Sequence, residues 1–168
     1  MNCPDCGYEN IAGTETCEDC GHDLAGLDLP APTTKLQEKI MGDPLEKLNP
    51  ASPLHVSPNT SVAEAIQMMK QRRYGCIFVT EEGKLSGIFT ERDVLTKVAG
   101  RNQDLNRLPV REVMTTNPET LTEQDTVAYA LNKMSVGGYR HLPIMKGDQP
   151  VGLVSVRGIL KYISNNLL

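Results

Sequence analysis

Val62-Ala63-Glu64-Ala65-Ile66-Gln67-Met68-Met69 returns 65 positions later as Val127-Ala128-Tyr129-Ala130-Leu131-Asn132-Lys133-Met134. Extended outward, residues 48–98 fall without a gap on residues 113–163. Pro53 lands on Pro118, Tyr74 on Tyr139, Gly87 on Gly152, Arg92 on Arg157 and Leu95 on Leu160. Other pairs keep their chemistry: Val56 and Leu121, Ile66 and Leu131, Ile88 and Leu153, Thr90 and Ser155. A gapless repeat means two copies of one small fold. Two such units are expected to pack about a pseudo-two-fold axis, with ligand clefts between them.

Each copy reads strand, helix, strand, strand, helix. The first strand is Leu54–Val56, or Thr120–Leu121 in the second copy. Val62, Ala65, Ile66 and Met69 fall at i, i+3, i+4 and i+7, one face of a helix, repeated as Val127, Ala130, Leu131 and Met134. Ser61-Val62-Ala63-Glu64 reads as a capping box that opens this helix. It ends near Arg73, or at Gly137-Gly138. Strands follow at Cys76–Val79 and Leu85–Phe89, or Leu142–Met145 and Val151–Val154, and a second helix begins at Thr90 or Ser155. The class is α+β. One unit leaves a sheet face and a helix stripe bare, so two copies pair to cover them. Cys76, among Ile77, Phe78 and Val79, reads as a small buried hydrophobe.

The chain has 168 residues, and the repeats leave an N-terminal segment too short for another sizeable core. The expected division is a cysteine-rich module at 1–24, a linker with a short helix at 25–44, and repeats at 45–104 and 105–168. Within the linker, Lys35–Met41 is the helical candidate, broken by Gly42, Asp43 and Pro44. Net charge is −4 and no basic run occurs, which opposes nucleic-acid binding. Aromatic content of 4% with no Trp removes stacking platforms for single strands. No apolar stretch approaches a membrane span. The start, Met-Asn-Cys-Pro-Asp, has neither a basic nor an apolar character, so no secretory signal is expected and the cytoplasm is the expected compartment. No nucleophile–base pair or open metal site emerges, so the chain reads as non-enzymatic.

Cys3, Cys6, Cys17 and Cys20 form the pattern C-x2-C-x10-C-x2-C. Each pair can point two sulfurs at one ion, and Gly7 and Gly21 follow where a tight turn needs backbone freedom. Two knuckles make a closed four-thiolate site that serves as the core of so small a segment. Zinc is the expected ion and iron the alternative. Two disulfides are the competing reading, which the expected compartment opposes. The segment through Leu24 resembles the short zinc ribbons that decorate regulatory proteins, which implies a structural or partner-docking role.

Gly87-Ile88-Phe89-Thr90-Glu91-Arg92-Asp93, with Tyr139-Arg140-His141-Leu142-Pro143-Ile144 and Val56-Ser57-Pro58-Asn59-Thr60-Ser61, resembles the cystathionine-β-synthase (CBS) domain family. Members occur as tandem pairs, called Bateman modules. The resemblance covers roughly residues 45–165. It implies that Thr90 contacts a phosphate and Asp93 a ribose. The residues support the same chemistry. A helix start offers free amides and a positive dipole to a phosphate. Thr90 adds a hydroxyl, Asp93 can accept from two ribose hydroxyls, and Gly87 lets backbone approach a base between Ile88 and Val56. The competing reading is an ordinary helix start, with Thr90 as N-cap and Asp93 favouring the dipole.

Arg140 and His141, on the loop into a strand of the second copy, are expected to reach that phosphate, with His141 leaning toward its protonated form there. Arg92 and Arg157 are further candidates, or exposed helix charges. The second copy reads Gly152-Leu153-Val154-Ser155-Val156-Arg157-Gly158, with Gly158 in place of the carboxylate. A weaker or altered second site is therefore expected at Ser155 and Arg157. The expected function is regulatory sensing of an adenine nucleotide, AMP first, then ADP, ATP or S-adenosylmethionine. A homodimer through the paired modules and a protein partner for the ribbon complete the expectation. The alternative is a scaffold whose clefts bind nothing and whose ribbon mediates assembly.

Overall fold

The computed structural model describes residues 1–11, 14–24, 32–100 and 103–166. Residues 25–31 of the linker expected at 25–44 lie outside the described residues. The chain divides into two compact units, Met1–Lys35 and Leu36–Leu168.

The first unit is two matching knuckles. Gly7 N donates to Cys3 O and Gly21 N to Cys17 O, both at 2.9 Å. Both glycines sit at positive φ, 77° and 73°, which lets each chain reverse directly behind its cysteine pair. Single bridges, Asn2 with Glu9 and Thr16 with Asp23, close the knuckles. Cys3, Cys17 and Leu24 are buried together.

All of α1 (Lys35–Gly42) but its first residue belongs to the second unit, and a 3-10 turn, Leu45–Leu48, follows it. The first repeat contributes β1 (His55–Val56), α2 (Val62–Arg72), β2 (Cys76–Glu81), β3 (Lys84–Thr90) and α3 (Glu91–Asp93), which widens into a π turn at Val94–Val98. A 3-10 turn (Val110–Glu112) and β4 (Thr115–Thr116) follow. The second repeat contributes β5 (Leu121–Thr122), α4 (Val127–Gly137), β6 (His141–Lys146), β7 (Gln149–Ser155) and α5 (Val156–Asn165). One sheet runs β1-β2-β3-β4 and the other β5-β6-β7. Cys76 pairs with Thr90 as His141 pairs with Ser155, and the hairpins bulge at matching places, Val79/Thr80 and Ile144/Met145. This is the expected α+β pair of repeats, and each expected helix and strand is present.

Side chains along β2 and β3 alternate between two layers, as the pleat requires. Ile77, Val79 and Phe89 face the cluster with α2, while Cys76, Phe78 and Ile88 meet Leu153 of the other repeat. The opening segments of the two repeats are exchanged. Leu45 is fully buried in the second repeat's core with Leu121, Val127 and Ile159. Leu108, Val110 and Val113 are buried in the first repeat's core. Backbone bonds follow the same exchange: Leu45 N donates to Asp125 O at 2.9 Å, and Val110 N to Thr60 O at 2.8 Å. Each core is incomplete without chain from beyond its own copy, which explains why the pair forms one unit.

The capping box expected at Ser61 forms only by half. Ser61 Oγ accepts from Glu64 N at 3.2 Å, without the reciprocal bond to the Glu64 carboxylate. The complete box lies at Thr90 and Asp93.

Candidate functional site

The four cysteine sulfurs converge within 4.8 Å of one another. Cys3 and Cys20 sulfurs are 3.6 Å apart, as are those of Cys6 and Cys17. Four thiolates around a tetrahedral ion at about 2.3 Å would stand roughly 3.8 Å apart, so the donor set fits a zinc-type centre. None of the five cysteines forms a disulfide. The sequence reading missed Asn10, which is buried at 4% exposure between the knuckles. Its amide donates to Cys17 Sγ at 3.5 Å and to Tyr8 O at 3.1 Å, and its carbonyl accepts from Glu18 N at 3.0 Å. The Cys20 backbone N–H, then the Asn10 and Asp19 N–H groups, pull the Cys17 thiol down to about 6 against the opposing effect of burial. That favours the thiolate at Cys17, while against the backbone N–H groups of Tyr8 and His22, burial and the neighbouring sulfurs push Cys6 and Cys20 up.

At the first strand–helix junction, Thr90 ends β3 and caps α3. Thr90 Oγ1 donates to Asp93 Oδ2 at 2.6 Å and Thr90 N to the same oxygen at 2.9 Å. Asp93 N donates back to Thr90 Oγ1 at 3.3 Å. The other oxygen, Oδ1, accepts from Thr115 Oγ1 at 3.0 Å and pairs with Lys97 Nζ at 2.6 Å. Asp93 is 3% exposed. An ionised carboxylate offers about four acceptor positions, and here four donors fill them. A ribose diol reaches Asp93 only by exchanging with a partner; Thr115 is exposed and the Lys97 side chain is 36% exposed, so these two are the outer ones.

Gly87 does leave room for close approach, but its own chain takes that room. A Cβ there would lie 2.7 Å from Thr115 O and 2.8 Å from Met114 Sδ. The pairing of Val56 with Ile88 as walls of one space is not met. Val56 belongs to the first repeat's core and Ile88 to the layer between repeats, on opposite faces of the sheet.

Residues of the second repeat do reach this junction. Arg92 Nη1 donates to Gly138 O at 3.1 Å. The His141 ring and Glu91 Oε2 converge beside Gly75, each 3.1 Å from where its Cβ would stand. Burial pushes His141 below its ordinary value, Glu91 counters it, and Arg140 adds to the lowering. The ring as placed leans toward neutral, the reverse of what a neighbouring phosphate would favour. Arg140 is exposed, and its carbonyl accepts from Val156 N at 3.1 Å, tying its backbone to the second junction. The matching bond in the first copy runs from Glu91 N to Gly75 O.

At the second junction Ser155 Oγ accepts from Gly158 N at 3.1 Å, and Arg157 is exposed. Ser155 and Gly158 line a cavity of about 790 Å³. Its other walls are α1, the Leu48–Ala51 segment and α5. A further cavity of about 740 Å³ lies by Lys84, Tyr129 and Lys133; neither of these two is lined by Thr90 or Asp93. The sequence reading missed the first cavity's polar residues: Lys39, Asp43, Lys161 and Tyr162. Tyr162 donates to Asp43 Oδ2, Lys47 pairs with Asp43 at 2.7 Å, and Lys39 Nζ donates to Asn166 Oδ1 at 2.6 Å. These bonds fix α1 against α5. Among the described residues, no helix is long and apolar enough to cross a membrane.

The CBS domain model matches residues 45–100 and 110–165. The chain is 35% identical over 101 residues to the CBS domain-containing protein YhcV of Bacillus subtilis, covering 60% of this chain and 71% of that one. It is 33% identical over 113 residues to CBSCBSPB5 of Arabidopsis thaliana, covering 67% of this chain. There the match spans only 21% of the plant protein's length. In fold it is similar to PAE2072 from Pyrobaculum aerophilum, a CBS domain protein whose structure was solved with AMP. The TM-score is 0.63 at 24% identity, over 73% of this chain and 98% of that one. With two matched copies covering most of its length, the chain belongs to the CBS domain family.

Proposed function

We propose that the chain is a regulatory module that binds an adenine nucleotide, AMP first, where the first strand–helix junction meets the second repeat. The observation that carries this reading is the convergence at α3. The Thr90–Asp93 pair starts the helix, and Arg92 bonded to Gly138 and His141 beside Glu91 bring the second repeat to the same helix. In this reading the phosphate takes Thr90, Arg92, Arg140 and His141, the ribose takes Asp93 from Lys97, and Ile88 supplies the apolar side. Ser155 and Arg157 mark the altered second site. Asp93 is a hub at rest and a ligand group when bound, which gives the nucleotide a structural switch to act on. The AMP held by the P. aerophilum protein supports the ligand class. The module is non-enzymatic and cytoplasmic in this account.

Titration calorimetry with AMP tests it: saturable binding is expected, weakened about tenfold or more by Thr90→Val. Absence of heat and of any thermal shift removes the reading.

The cysteine centre holds one zinc ion per chain and gives the ribbon its shape for a protein partner. Metal analysis should return one zinc, lost on Cys17→Ser, and an absorbance band in the visible would assign iron instead. A homodimer is part of the same reading. Leu95 and Leu160 occupy equivalent positions in the two copies and are 72% and 60% exposed. A self-complementary face of this kind suits a second copy. Leu160→Glu should shift the sedimentation coefficient to that of a monomer.

A further inference from the structure

The chain entering the second repeat lies over the first strand–helix junction, and one lysine ties it there. Val94–Val98 wind as a π turn, closed by Ala99 N donating to Val94 O at 2.8 Å. Such turns are rare and concentrate at functional sites. This one carries Lys97, whose Nζ pairs with Asp93 Oδ1 at 2.6 Å and donates to Met114 O and Thr115 Oγ1, both at 3.1 Å. An ammonium group has three N–H donors, and these three contacts use all of them. Thr115 Oγ1 closes the ring by donating to Asp93 Oδ1 at 3.0 Å.

The tied segment has little ladder of its own. β4 is two exposed threonines paired with Gly87 and Ile88, shorter than strands usually are. Met114 and Thr115 lie directly against Gly87, on the strand that leads to Thr90. The second copy has no counterpart to the ring. Pro50 stands there for Thr115 and Tyr162 for Lys97, and Tyr162 donates to Asp43.

We propose that Lys97 is a latch that holds residues 114–116 closed over the first junction, and that a nucleoside phosphate binds by releasing it. The inference rests on the nucleotide reading of that junction and adds what limits the affinity there. The ribose needs the acceptor positions that Lys97 and Thr115 occupy, so only the unlatched population binds, and the apparent affinity falls by that fraction. Release also frees the segment that opens the second repeat, so occupancy acquires a mechanical readout at β4.

The experiment has two readouts on the intact chain. The first is hydrogen exchange without ligand. Lys97→Met keeps the stem and removes the ammonium group, so exchange at residues 114–116 should rise about tenfold while β2 and β6 exchange as in the parent. Thr115→Ala, at an exposed position, should act in the same direction and covers the case in which Lys97→Met does not fold. The second readout is calorimetric titration with AMP, which should bind either variant about fivefold more tightly than the parent. Lys70→Gln, which removes an exposed charge from α2, should match the parent in both readouts. Exchange at 114–116 that is unchanged in the variants, or that rises no more than in β2 and β6, overturns the proposal. So does AMP that binds Lys97→Met more weakly, which would make the lysine a ligand group. If neither parent nor variants bind AMP, the nucleotide reading falls alone, and exchange at 114–116 still decides whether Lys97 is the latch.

Discussion

The two strand–helix junctions follow the same course from strand to helix and differ, among other positions, at four that surround the carboxylate. Thr90, Asp93, Lys97 and Thr115 in the first correspond to Ser155, Gly158, Tyr162 and Pro50 in the second. In the first, a carboxylate gathers two hydroxyls, an amide and an ammonium group, and β4 seals it with two paired residues. In the second, the carboxylate is gone, the covering segment keeps one bridge, Ala51 with Leu153, and a cavity stands there instead. Tyr162 turns to Asp43, the residue after α1, where Lys97 turned to Asp93. The helices diverge as well: α3 widens into a π turn, whereas α5 stays regular for ten residues. A duplicated unit can therefore separate into a closed half and an open half with its topology unchanged.

The largest expected effect is at the carboxylate itself. Asp93→Ala removes a carboxylate that is 3% exposed and leaves the half-buried Thr90 amide and hydroxyl without their acceptor, and it should cost about 2–3 kcal/mol in urea unfolding. The corresponding change, Gly158→Ala, should do the opposite and add up to about 0.5–1 kcal/mol, because alanine favours the helix and its Cβ meets ordinary contact distances. Equal effects at the two positions would erase the difference between the halves.

The covering segments rank next. Gly87→Ala forces a Cβ to within 2.7 Å of Thr115 O, whereas Gly152→Ala meets Pro50 Cβ at 3.1 Å. Overpacking against backbone should cost about 2 kcal/mol at Gly87 and less than about 1 kcal/mol at Gly152, again by urea unfolding.

The smallest effect concerns α1. Lys47 first, then Tyr162, hold the Asp43 carboxyl below its ordinary value of 3.8. A depressed carboxyl stabilises fully above its unfolded value, and the contribution disappears as pH falls through the folded value. Asp43→Asn should therefore cost about 1 kcal/mol at pH 7, and its melting temperature should converge with the parent's as pH falls below 3.8. A gap that persists at low pH would detach Asp43 from the charge-based docking of α1.

The helices α2 and α4 were legible because their apolar faces recur at helical spacing, and the junctions because Thr90 and Ser155 are cap residues. The exchange of Leu45 and Val110 between cores was not. Apolar patterning says that a residue is buried, but not against which copy. β4 is two threonines, too short for alternation to register. Thr90-x-x-Asp93 fits a helix cap and a ligand group equally well in sequence; the structure forms the cap in full and leaves ligand exchange to be tested. The cavity lysines were invisible for a different reason. Lys39 and Lys161 stand more than a hundred positions apart, and each alone reads as ordinary surface charge. Asn10 carried no signal beyond its place between two cysteine pairs.

The most direct test is residue-resolved: amide NMR spectra of the intact chain titrated with AMP. The account predicts saturable shifts centred on Thr90–Asp93, Thr115 and Gly138–His141, with Lys97 among the residues that move. Shifts confined to other parts of the chain, or spectra unchanged at saturating AMP, would contradict it.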